Sequence, residues 1–72
     1  MKANVNYKGM NLEGVTMNSV MNYTVSFSIP NERTTAEQLQ QLTNLGAQIT
    51  FYTNDVHVIV GKKECEISYK SL

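Results

Sequence analysis

Seventy-two residues, 8.1 kDa, suffice for one domain spanning residues 1–72 and are too few for two independently folding units. With 42% hydrophobic and 17% charged residues and a formal net charge of +0, the chain is neither a disordered polyelectrolyte nor a strongly basic duplex-DNA binder. A single cysteine, Cys65, excludes an internal disulfide, and no apolar run exceeds Val58-Ile59-Val60, far short of a spanning helix or signal-peptide core.

The first twenty residues read as a hairpin. A Lys8-Gly9 turn pairs Tyr7 with Met10 and Val5 with Leu12 on the inner face, and Asn6 with Asn11 on the outer. The pattern breaks near Gly14, where a bulge or bend is expected, and Met17-Asn18-Ser19 is the expected second turn. Met21, Tyr23, Val25, Phe27 and Ile29 then alternate with Asn22, Thr24, Ser26 and Ser28, the period of a half-buried strand, which Pro30 and Asn31 end.

Thr34-Thr35-Ala36-Glu37 fits a capping box, with Thr34 as the N-cap. Ala36, Leu39, Leu42 and Leu45 recur every three residues, and Gly46 stands where a left-handed C′ residue belongs. This single short helix needs a sheet to hold its leucine stripe. Beyond it, Ala47, Ile49 and Phe51 alternate with polar neighbours up to an expected Asn54-Asp55 turn. That turn pairs Phe51 with Val58 and Ile49 with Val60 inward, and Tyr52 with His57 and Thr50 with Ile59 outward. After Gly61-Lys62-Lys63 a last strand points Cys65, Ile67 and Tyr69 inward, hairpinned on the previous strand with Cys65 opposite either Val58 or Val60. The predicted class is α+β: an antiparallel sheet in the order β-β-β-α-β-β-β, with one short helix packed on one face.

Catalytic chemistry finds little material, with one His, one Cys and one Asp in the chain. A Cys65–His57 dyad is disfavoured because strand parity sets the two on opposite faces. His57 stands opposite Glu66 if the last hairpin turns at Gly61-Lys62, with Glu64 on the same face, which would make a weak ligand or metal site. No metal-binding spacing and no phosphate-binding glycine loop accompany them. No catalytic residue, metal or cofactor is therefore assigned.

The outer face is the notable surface. Thr24, Ser26, Thr50, Tyr52, His57 and Ile59 are nearly free of charge, and Tyr52 beside Ile59 has the character of an interface core. A domain this small gains stability by association. The expectation is a non-enzymatic, cytoplasmic interaction or accessory protein that forms a homodimer or docks on another protein, with no membrane partner. Its eight asparagines suit a bacterial or phage source. The alternative is a single-stranded nucleic-acid binder using Lys2, Lys8, Lys62, Lys63 and Lys70. It is weakened by the inward reading of Tyr7, Tyr23, Phe27, Phe51 and Tyr69, which leaves only Tyr52 for stacking.

Overall fold

Strands β1 (Lys2–Tyr7) and β2 (Met10–Val20) pair with Tyr7 opposite Met10, Asn6 opposite Asn11 and Val5 opposite Leu12, the register expected from the sequence. Lys8 and Gly9 connect them with φ of 50° and 87°, the two positive angles that match a tight turn to the twist of a hairpin. Asn6 reinforces the turn, its Oδ1 accepting the Gly9 N–H at 3.0 Å and its Nδ2 donating to Asn11 Oδ1 at 2.8 Å. The structure, a computed structural model, describes residues 1–70.

Two extra residues interrupt β2. Val15 faces Ala3 while Leu12 faces Val5, so Glu13 and Gly14 together oppose Asn4. Gly14 has φ +65°, and its N–H donates to Asn4 Oδ1 at 2.9 Å. The break expected near Gly14 is thus a bulge. Farther along, Met17 faces Phe27 but Ser19 faces Ser26, which leaves Asn18 over; its Nδ2 donates to Ser28 Oγ at 2.7 Å. The turn expected at residues 17–19 is this second bulge. The chain reverses instead at residues 21–23, closed by Met21 N–H donating to the Thr24 carbonyl at 2.8 Å.

Strand β3 (Thr24–Pro30) consequently starts later than its alternation suggests. Val25, Phe27 and Ile29 are buried as expected, but Met21 and Tyr23 stand 62% and 82% exposed. Alternation assigns a face and says nothing about whether a neighbouring strand or helix covers it.

After a 3-10 turn at Asn31–Arg33, α1 (Ala36–Asn44) begins one residue later than expected. Thr35 is the N-cap, its Oγ1 accepting the Gln38 N–H at 3.0 Å, whereas Thr34 Oγ1 donates to the Asn31 carbonyl and finishes the preceding turn. The C-terminus closes as a Schellman motif. Ala47 N–H reaches the Leu42 carbonyl and Gly46 N–H the Thr43 carbonyl, both at 3.0 Å, with Gly46 at φ +103°. Leu42 is buried and Leu39 and Leu45 half-buried, whereas Ala36 is exposed.

Strands β4 (Gln48–Phe51) and β5 (Asp55–Gly61) form a hairpin two residues out of the expected register. Phe51 faces Val56, Thr50 faces His57, Ile49 faces Val58 and Gln48 faces Ile59. The loop is Thr53-Asn54, closed by Tyr52 N–H on the Asp55 carbonyl at 3.0 Å. A slip of two preserves parity, so every face assignment survives. Asn31 sets this position: its N–H donates to the Asn54 carbonyl at 3.0 Å and its Nδ2 to the Thr53 carbonyl at 2.9 Å.

Strand β6 (Cys65–Tyr69) pairs with β1 and not with β5, so neither register anticipated for a last hairpin forms. Cys65 faces Tyr7, Ile67 faces Val5 and Tyr69 faces Ala3. All pairings are antiparallel, in the order β4-β5-β3-β2-β1-β6. The α+β class and the three-strand, helix, three-strand chain order hold.

This topology forces curvature. Only Lys62–Glu64 lie between β5 and β6, although three strands separate them in the sheet. Four chain steps reach at most about 14 Å, whereas four strand spacings in a flat sheet need about 19 Å. The sheet must roll, and the two bulges of β2 supply the bend. Inside the roll, Val5, Tyr7, Leu12, Phe27, Leu42 and Val58 lie at the centre of the core, under α1. Among the described residues no helix is long and apolar enough to cross a membrane.

Candidate interaction surface

The outer face of β4, β5 and β3 assembles from two cross-strand rows. Thr50, His57 and Ser28 form one, and Gln48, Ile59 and Ser26 the next. Thr24 stands at the corner, opposite Gly61. Thr50, Tyr52, His57, Ile59 and Ser26 are therefore contiguous as the sequence suggests, with Thr24 at their margin. Tyr52 faces Asp55 in the backbone, yet its ring still reaches His57 along the diagonal, with centroids 4.1 Å apart and planes at 40°. His57 Nε2 lies 3.3 Å from Asp55 Oδ1. Ile59 is 38% exposed and Tyr52 54%.

The stronger feature of this region escaped the sequence reading. β4 is an edge strand, and nothing between Gln48 and Asn54 carries a charge. Bonded and non-bonded pairs alternate along an antiparallel ladder. Because Tyr52 bonds to Asp55, Thr50 and Gln48 also turn their amides toward β5, and the N–H and C=O groups of Ile49 and Phe51 face outward, without a neighbour strand among the described residues. Phe51 has core parity but is 69% exposed. It closes a cleft of about 460 Å³ between β4 and α1, lined also by Ala36, Leu39, Thr43, Ala47 and Ile49. The opposite edge differs: β6 carries Glu66 and is flanked by Glu64 and Lys70. Charges of that kind guard sheet edges, and β4 has none. An uncharged hairpin arm is visible in the sequence; its place at the edge is decided by which strand β5 chooses on its other side.

The remaining chemical candidates disperse. Cys65 belongs to the core-facing set and His57 to the outer face, at strands far apart in the sheet. Burial pushes the Cys65 thiol up from its ordinary value, with the charge of Glu64 adding to the effect. Glu66 sits opposite Asn6, and Glu64 binds Lys8 at 3.2 Å, so His57 has neither as a neighbour on its ladder. Among the described residues no three His, Cys, Asp or Glu side chains gather to hold a metal. Lys8 is committed elsewhere: Nζ donates to the Leu45 carbonyl at 2.6 Å, where Tyr7 Oη also donates at 2.8 Å. Two donors, a cation and a hydroxyl, thus satisfy the Leu45 carbonyl at the C-terminal end of α1. The hydrogen bond to Glu64 raises the Lys8 ammonium above its ordinary value.

The inward reading of the aromatic rings needs revision. Tyr7 and Phe27 are buried, but Tyr23, Phe51 and Tyr69, the last 51% exposed, are open to solvent along with Tyr52. No family model matches the chain, and no curated protein or solved structure matches it either, so its function has to be read from this geometry.

Proposed function

We propose that the protein is a non-enzymatic interaction module that pairs with a second copy of itself through the free edge of β4. The observation carrying this reading is the uncharged edge on which Ile49 and Phe51 present unpaired backbone groups. Antiparallel pairing about a twofold axis at Thr50 places Ile49 opposite Phe51 of the second copy, and the reverse, with four backbone hydrogen bonds. On the inner side, Phe51 of each copy then meets Ile49 of the other beside the clefts against α1, an aromatic–β-branched pairing that favours strand association. On the outer side, Thr50 faces its own copy and Tyr52 faces Gln48, so no like charges oppose one another. The lone Cys65 suits a cytoplasmic setting.

Light scattering behind size-exclusion chromatography tests this over a range of concentrations. The wild-type chain is expected at twice its mass. Thr50→Lys and Thr50→Glu, each placing like charges face to face at the axis, are expected to be monomers that regain the doubled mass when mixed. Thr50 is exposed, so both variants should keep the wild-type circular dichroism. A wild-type monomer at every concentration overturns the reading. Dissociation by Ile59→Lys with Thr50→Lys still dimeric moves the contact from the edge to the outer face, and a monomer that captures a different protein replaces the second copy by that protein.

A further inference from the structure

We infer that the end of the sheet at the β2–β3 turn docks on an anionic lipid surface. The turn projects Val20, Met21 and Tyr23 into solvent; Val20, at 42% exposed, is the least open of the three. Lys62 donates its N–H to the Tyr23 carbonyl at 2.9 Å, which brings Lys62 and Lys63 beside the turn. Lys2 and Lys70, joined by a backbone bond of 3.2 Å, lie on β1 and just past β6 toward the same end, where β2 runs on from Thr16 to Val20. All four lysines are exposed. Among the described residues the ion pairs are Lys8–Glu64 and His57–Asp55, and neither involves these lysines.

The carboxylates gather elsewhere. Asp55 stands opposite Pro30 at the other end of the sheet, Glu32 lies in the following turn, and Glu37 is in the first turn of α1. Glu13 is at the bulge whose carbonyls bind Arg33, and Glu66 is beside the β1–β2 turn, opposite Asn6. Glu64, the carboxylate closest to Gly61, is turned onto Lys8. Five of the six carboxylates thus lie outside the Lys62–Glu64 turn and the sixth is engaged by Lys8, which leaves the β2–β3 turn a cationic end.

The apolar part of the cationic end decides between polyanions. Valine and methionine offer no ring for a base to stack on, but both partition from water into the headgroup–acyl boundary, and tyrosine favours that depth. A protruding turn can enter such a boundary while surrounding lysines meet anionic headgroups, each strengthening attachment roughly fivefold. This surface is separate from the β4 edge, so it stands or falls independently of self-association.

Vesicle sedimentation tests the inference, with pure phosphatidylcholine compared against phosphatidylcholine containing one third phosphatidylserine. The wild-type chain should sediment with the anionic vesicles at low salt and be released at high salt. Lys62→Glu with Lys63→Glu, and separately Met21→Asp with Tyr23→Asp, should each reduce the bound fraction at least tenfold with unchanged circular dichroism. The chain contains no tryptophan, so Met21→Trp supplies a single reporter whose emission should shift to the blue on anionic vesicles. No sedimentation on anionic vesicles, or equal sedimentation on both kinds, overturns the inference. So does tight binding to a single-stranded oligonucleotide that Met21→Asp leaves intact, which would assign the lysines to nucleic acid.

Discussion

The guanidinium of Arg33 occupies the space into which a side chain at position 14 would project: a Cβ on Gly14 would stand 2.7 Å from Arg33 Nη1. Arg33 donates from Nη1 to the Gly14 carbonyl at 3.0 Å and from Nη2 to the Glu13 carbonyl at 2.6 Å. The bulge that bends β2 is thereby fastened to the 3-10 turn that leads into α1. Without the bend β2 could not follow the roll, and β6 could not reach β1 through three linking residues.

Gly14→Ala should destabilise the fold by about 2 kcal/mol, from a non-glycine residue at positive φ together with displacement of Arg33. Arg33→Ala alone should cost about 1 kcal/mol, because the arginine is exposed. In the Arg33→Ala background Gly14→Ala should cost less, since only the backbone strain remains. Urea titration of the four proteins measures this, and additive costs would show that the close approach carries no energy.

The Lys8–Glu64 pair predicts an alkaline transition. The folded ammonium titrates above the ordinary 10.5, mainly because Glu64 accepts its hydrogen bond. The pair's contribution is therefore complete below pH 10.5 and is lost as pH rises through the higher folded value. The difference in Tm between the wild type and Lys8→Met should shrink across that interval. A constant difference would mean that the lysine stem, and not its charge, supports α1.

Cys65 predicts a second alkaline effect of the same sign. Burial disfavours the thiolate, so the folded thiol titrates above 9.0 and the unfolded one at about that value. Stability is lost as pH rises from 9.0 through the folded value, and Cys65→Val should remove that slope. At pH 8 the native thiol should react with a disulfide reagent more slowly than a free cysteine, and at the free rate in urea.

Ile59→Lys should leave the folding stability within about 0.5 kcal/mol of wild type, because the side chain stands on the outer face. Val58→Lys, one residue away and fully buried, should abolish folding. Thermal melts of the two variants check the face assignment, and similar losses in both would overturn it.

Short-range order was written plainly in the chain. Lys8-Gly9 set the first hairpin and its register, Gly46 closed the helix, and period-two alternation assigned inner and outer faces that survived even a two-residue slip between β4 and β5. These features depend on residues within a few positions of one another, through turn geometry and side-chain parity. The outer cluster of Thr50, Tyr52, His57, Ile59 and Ser26 was legible for the same reason.

What needed the tertiary structure was every choice between distant partners of equal parity. β6 satisfies the same alternation against β5 or β1, and only the roll of the sheet brings β1 within reach. Phe51 and Tyr69 share the parity of the core but sit on edge strands, and Met21 and Tyr23 fall in a turn four residues later than expected. Periodicity reports the direction of a side chain, whereas burial requires something on the other side of it. Which strand stays unpaired, and where a neutral chain collects its lysines, follow from that long-range pairing.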